Sequence, residues 1–176
     1  LTIMFAVGGA GVQKEIGIKI AKSLAVKIWA GEIKLILVAG AKEKVREYFK
    51  NNLKKLGFSG HKNIEILFAE KIEDYFQEFN QALRKTDILW TKPSELSFYA
   101  ALGLPIIIAP PIGSQEEFNQ RWLLNSGFGI LQKDVNYLNQ WLFDWLEQGY
   151  LAECAMQGFV EGEKLGTFNI EKIALK

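Results

Sequence analysis

The stretch Ile3-Met4-Phe5-Ala6-Val7-Gly8-Gly9-Ala10-Gly11-Val12-Gln13 decides the fold. An unbroken apolar run, Ile3 to Val7, stops at glycine. It shows no polar alternation, so it reads as a strand buried on both faces. From Val12 to Trp29, Ile16, Ile20, Leu24 and Ile28 recur at helical spacing, which predicts a helix. Glycines between the two let the backbone turn sharply and approach a ligand. The helix start would aim free N–H groups and its positive dipole end at that point, which suits a phosphate. The spacing is not Gly-x-Gly-x-x-Gly and no Walker Lys-Ser/Thr follows, so neither nucleotide fingerprint is matched. A tight turn holding no ligand explains the glycines equally well.

The same alternation continues down the chain. Strands are expected at Ile33 to Ala39, Ile64 to Ala69, Asp87 to Thr91, Pro105 to Ala109 and Phe128 to Leu131. Helices are expected at Lys42 to Leu56, Ile72 to Leu83, Pro93 to Leu102 and Ser114 to Asn125, with Ser94 and Ser114 as N-caps. Val135 to Lys176 reads as all helical, with breaks near Gly149, Gly162 and Gly166. Strands joined by helical crossovers predict a Rossmann-like α/β fold: a parallel six-stranded sheet, helices on both faces and a helical C-terminal tail. In such sheets ligands bind at the carboxyl ends of the strands, where strand order switches. Function is therefore expected on the loops that follow the strands.

Composition narrows the classes. The 176 residues suit one domain, 1–176, and the chain opens on Leu1-Thr2-Ile3 without a methionine. We expect a fragment of a longer chain whose missing part is N-terminal. Lys+Arg number 21 and Asp+Glu 20, a net charge of +1 that gives no concentrated basic surface for nucleic acid. One cysteine, Cys154, and one histidine, His61, are too few for a structural zinc site. His61 lies in the polar run Ser59-Gly60-His61-Lys62-Asn63, expected to be an exposed loop rather than a catalytic base. Cys154 is expected to be a small apolar filler. No apolar run approaches the roughly 20 residues of a membrane-spanning helix, and no signal peptide is evident. A cytoplasmic location is the expectation.

Polar side chains gather at two turns. Thr91, Lys92, Ser94 and Glu95 follow the fourth strand; Ser114, Gln115, Glu116 and Asn119 follow the fifth. Carboxylates and amides at such places can accept or donate to vicinal sugar hydroxyls. Taken alone, each residue is better explained structurally: Ser94 and Ser114 as caps, Glu95 and Glu116 as dipole partners worth about 0.3–1 kcal/mol each, and Asn119 as a helix-surface residue.

Taken together, Thr91-Lys92-Pro93, Gly103-Leu104-Pro105, Gln115-Glu116, Asn119 and Gly127 resemble the C-terminal domain of two-domain (GT-B) glycosyltransferases. The likeness is to the group of the lipid II-forming N-acetylglucosaminyltransferase, monogalactosyldiacylglycerol synthase and processive diacylglycerol glucosyltransferases. Gly8-Gly9-Ala10-Gly11 is similar to that family's turn at the start of the same domain, and the resemblance covers about Ile3 to Leu131. It implies a nucleotide-diphosphate sugar as donor, most often a UDP-sugar. Gly9, Ala10 and Gly11 match the turn that meets the diphosphate or faces the acceptor. Ser94 and Glu95 lie nearest the ribose-binding turn, and Gln115 and Glu116 match the pair that touches the donor sugar. Ser114 and Asn119 sit on the same turn and helix. Phe68 and Ala69, in the loop running to Lys71, fall where the family's backbone holds the base, and Lys92 faces a phosphate.

Two departures stand out. The family's helix usually carries Ser/Thr-x-x-Glu, with that Glu on the ribose; here the segment between Thr91 and Gly103 is shorter, and Glu95 would serve from an earlier turn. Glu116 stands where Gln is common, which alters sugar preference or weakens binding of an anionic donor.

The implied chemistry is glycosyl transfer to an acceptor bound by the absent N-terminal domain, which would also carry the general base. Backbone N–H groups, the helix dipole and Lys92 would stabilise the leaving diphosphate, with no metal and no other cofactor required. The fragment alone should bind nucleotide without turnover. A UDP-sugar 2-epimerase-like enzyme is the alternative among enzymes; a non-catalytic nucleotide-sugar-binding or partner domain is the alternative outside them. The family's lipid acceptors imply peripheral membrane association of the parent enzyme. Trp141, Leu142, Phe143, Trp145, Leu146 and Tyr150 are expected in core or interdomain packing, exposed tryptophans marking a lost interface.

Overall fold

The computed structural model describes residues 1–6, 11–93 and 96–175. Six strands, β1 (Thr2–Ala6), β2 (Lys34–Gly40), β3 (Ile64–Phe68), β4 (Ile88–Thr91), β5 (Ile106–Ile108) and β6 (Gly129–Leu131), form one sheet in the order β3-β2-β1-β4-β5-β6. Every pairing is parallel. Strand order reverses between β1 and β4, which makes the ends of these two strands the switch point.

The strands carry apolar residues on both sides because both faces are covered. Ile3, Phe5, Leu35 and Leu37 point into one core, Met4, Ala6, Ile36 and Val38 into the other. On the first face lie α1 (Lys14–Ser23), α2 (Ala25–Trp29), α3 (Glu43–Lys55) and α7 (Leu138–Glu147). On the second lie α4 (Ile72–Leu83), α5 (Leu96–Ala101) and α6 (Ser114–Asn125). In α3 the buried Val45, Phe49 and Leu53 recur every fourth residue, while Glu43 opens the helix and Lys54 and Lys55 close it, in register with its dipole. Gly17 lets α1 lie close on the sheet: a Cβ there would stand 2.9 Å from Phe5 and 3.1 Å from Leu37.

Several expectations need correction. The helix expected from Val12 to Trp29 is two helices, interrupted at Leu24, whose ψ of 11° leaves the α region. Ile20, Leu24 and Ile28 stay fully buried across the break. Periodicity reports a continuous face, and a face survives an interruption of the hydrogen-bond ladder. Ser114 is not the cap of α6: Gly113 holds that position in extended backbone, and Ser114 is the first helical residue. Its hydroxyl lies one residue too late to reach the N–H groups that an N-cap serves. His61 is half-buried rather than exposed, with its ring 4.2 Å from Trp29 and 5.5 Å from Phe58. Its Nδ1 accepts the N–H of Asn63, so the ring helps to close its turn.

The tail after β6 is helical as expected, continuing from α7 into α8 (Tyr150–Glu161) and α9 (Gly166–Ala174). Trp141, Leu142 and Trp145 belong to the core; Trp141 packs edge-on against the fully buried Trp90. The tryptophans with substantial exposure are Trp29 and Trp122. Cys154 is a buried filler in α8, its thiol pushed up to about 11 by burial and then by the neighbouring Glu153 charge. No helix among the described residues is long and apolar enough to cross a membrane.

Candidate functional site

The switch point is braced by a hydroxyl. Thr91, expected to end the fourth strand and to add a polar group beside its turn, is the last residue of β4 and is buried. Its Oγ1 donates to the carbonyl of Ala6 at 2.7 Å, joining the ends of β4 and β1. The two strands therefore present their following loops from one fixed edge.

On the β1 side, Gly9 and Ala10 lie outside the described residues, so the loop becomes legible at Gly11. Gly11 is required there twice over. Its φ is +64°, and a Cβ would come within 2.3 Å of Val45 Cγ2 on α3. The loop is thus seated on α3 before the chain enters α1. Gln13, at the N-cap of α1, also has a left-handed backbone, with φ 73°. Its Nε2 donates to the carbonyl of Pro110, beyond β5, at 2.8 Å. That carbonyl takes a donor, which sets the amide's orientation and leaves Oε1 buried without a partner among the described residues. Gln13 thereby ties the loop after β1 to the loop after β5. It was not among the expected site residues. The signal was a long amide where Ser, Thr, Asn or Asp is usual, just after the glycines.

On the β4 side, three of the expected residues come together. Lys92 follows β4, and its Nζ is 2.5 Å from Glu116 Oε1 on α6. Glu116 Oε2 accepts the N–H of Ile112 at 2.9 Å. Asn119, one turn further along α6, donates from Nδ2 to the carbonyl of Pro93 at 3.1 Å. Positions 116 and 119 share a helix face, so one face of α6 clamps the Lys92-Pro93 turn. Burial alone would push the Glu116 carboxyl up. The hydrogen bonds from Lys92 and Ile112, with the lysine's charge, outweigh it and hold the carboxyl below its ordinary range.

The remaining expected residues are spread apart. Ser94 and Glu95 lie outside the described residues. Ser114 and Gln115 are exposed in the first turn of α6. Phe68 ends the edge strand β3, its ring covered by the guanidinium of Arg46 at 4.7 Å, and Ala69 is buried beside it, its N–H bonded to Gly40. With strands about 4.8 Å apart, β3 and β4 are separated by roughly 14 Å along the sheet edge. Among the described residues, the candidates thus line an elongated edge, with Lys92 and Glu116 at the switch point and the apolar Phe68 corner at one end.

Comparison with solved structures finds the same fold in several proteins. The C-terminal CMP-Kdo binding domain of WaaA from Acinetobacter baumannii superposes with a TM-score of 0.60 at 12% identity, over 89% of this chain and 86% of that domain. MnaA from S. aureus, solved with UDP, gives 0.60 at 14% identity over 88% of this chain and 39% of that protein. The glycotransferase of kitacinnamycin gives 0.55 at 12% identity over 97% of this chain. This chain spans 42% of that glycotransferase. No family model and no curated protein sequence matches the chain.

Proposed function

We propose that this chain is the donor-binding domain of a glycosyltransferase that takes a UDP-sugar. The observation that carries the reading is the clamp at the switch point, where Lys92, Glu116 and Asn119 meet at the carboxyl ends of β4 and β5. The shared fold supports it, because the similar domains include one that binds CMP-Kdo and a protein solved with UDP. In this reading the diphosphate lies over Gly9, Ala10 and Gly11, between the N-terminus of α1 and Lys92. The base lies toward Phe68 and Ala69, the ribose near Ser94 and Glu95, and the sugar near Ser114, Gln115, Glu116 and Asn119.

The chemistry then follows from charge. As the glycosidic bond breaks, negative charge grows on the diphosphate; backbone N–H groups, the α1 dipole and Lys92 oppose it without need of a metal. The acceptor and the general base belong to a second, N-terminal domain, as in the lipid-glycosylating enzymes whose motifs this sequence resembles. The parent enzyme would then work in the cytoplasm at a membrane surface.

Calorimetry with UDP and CMP on this domain tests the reading. Saturable heat with UDP, and a weaker response to CMP, is the expected result. Silence toward millimolar UDP would overturn it, and a preference for CMP would reassign the base. Glu95→Ala should weaken UDP binding, and unchanged affinity would remove the ribose role.

A further inference from the structure

Lys92 is the cation at the switch point that a phosphate would meet, yet its ammonium is already paired with a carboxylate. Glu116 Oε1 lies 2.5 Å away, and both side chains are only 16% exposed. The second oxygen, Oε2, takes the backbone N–H of Ile112 in the loop after β5. One carboxylate therefore engages one cation and one backbone N–H at the carboxyl edge of the sheet. That is the donor set a phosphate oxygen pair would seek, since charge-assisted bonds from Lys and backbone N–H groups are what bind oxyanions.

We infer that Glu116 is a built-in stand-in for the ligand's phosphate, a latch that closes on Lys92 and Ile112 until an anionic ligand opens it. The inference rests on the nucleotide-diphosphate reading above and deepens it. With the latch closed, the Lys92-Pro93 turn is held by α6 through Glu116 and Asn119. An incoming phosphate has to replace the carboxylate, so each bond gained by the ligand costs one already made. The freed carboxylate would stay beside the phosphate and repel it unless it turns outward, where it can accept bonds from sugar hydroxyls. The latch therefore lowers affinity for the bare diphosphate and favours ligands whose sugar gives Glu116 a new partner.

Titration calorimetry on the domain, with uridine, UDP and pyrophosphate as probes, separates the possibilities. Glu116→Gln keeps the side chain's shape but leaves one acceptor oxygen where the carboxylate has two, so it can hold only one of the donors of Lys92 and Ile112, and it removes the charge. It should bind UDP about tenfold more tightly than the unaltered domain, and uridine with unchanged affinity. Adding Lys92→Met should abolish that gain. A residue that is merely structural would weaken binding when altered, so the direction of change is diagnostic. UDP affinity equal or lower in Glu116→Gln would overturn the latch. If UDP binds no better than pyrophosphate, yet pyrophosphate binds Glu116→Gln more tightly, the latch stands and the nucleotide reading falls. If both anions are indifferent to the substitution, the latch falls.

Discussion

The two sides of the switch point are held by different forces. After β1, Gly11 is seated by shape, fitting against Val45 of α3 with no room for a Cβ, and Gln13 adds a single hydrogen bond to the Pro110 carbonyl. After β4 the chain is seated by exchangeable polar bonds: Lys92 to Glu116 and Pro93 to Asn119. A van der Waals fit has no alternative partner and cannot be traded for a ligand. An ion pair and a hydrogen bond can be. Gly11 thus makes a rigid wall, fixed by shape, and the Lys92-Pro93 turn a responsive one, whose polar bonds can exchange partners.

The largest expected effect is on the rigid wall. Gly11→Ala places a methyl in a left-handed backbone and against Val45, and should cost about 2–4 kcal/mol in denaturant unfolding. Combining it with Val45→Ala should recover the part due to the clash and leave the part due to φ. Full recovery would show that space alone requires the glycine.

Lys92→Met on the responsive wall should cost less, about 1–2 kcal/mol at neutral pH, by leaving a largely buried carboxylate with one partner. The sign with pH follows from the carboxyl. In the unaltered domain its folded value lies below the ordinary 4.5, so the pair's stabilisation is present above that value and is lost as pH falls through the lowered one. Without Lys92, burial is the largest remaining influence, and the carboxyl should shift upward. The variant's penalty should then shrink on acidification, read by urea unfolding from neutrality down to about pH 3. Parallel stability curves for the two proteins would show that the ion pair contributes nothing. Asn119→Ala should cost least, about 1 kcal/mol, with no dependence on pH in that range.

Much of this was legible in the sequence, and the parts that were not share a cause. The alternation of apolar runs located all six strands, because burial on two faces leaves a local compositional trace. Lys92, Glu116 and Asn119 were legible as polar residues following the fourth and fifth strands. That Lys92 and Glu116 pair with each other was not, since they stand 24 positions apart and each has an adequate local explanation. The interruption of the first helix at Leu24 left the apolar face intact and so gave no signal. Thr91 was legible as the end of the fourth strand, but the buried role of its hydroxyl comes only from the adjacent Ala6 carbonyl.

By itself, the amino-acid order determined that this protein has a parallel α/β fold of six strands joined by helices. Local periodicity suffices for that. Only the tertiary structure decided the order β3-β2-β1-β4-β5-β6, and with it the placing of Lys92 beside the end of β1 and within reach of α6. Strand order depends on which buried faces pack together across long separations. No residue's neighbours in sequence carry that information.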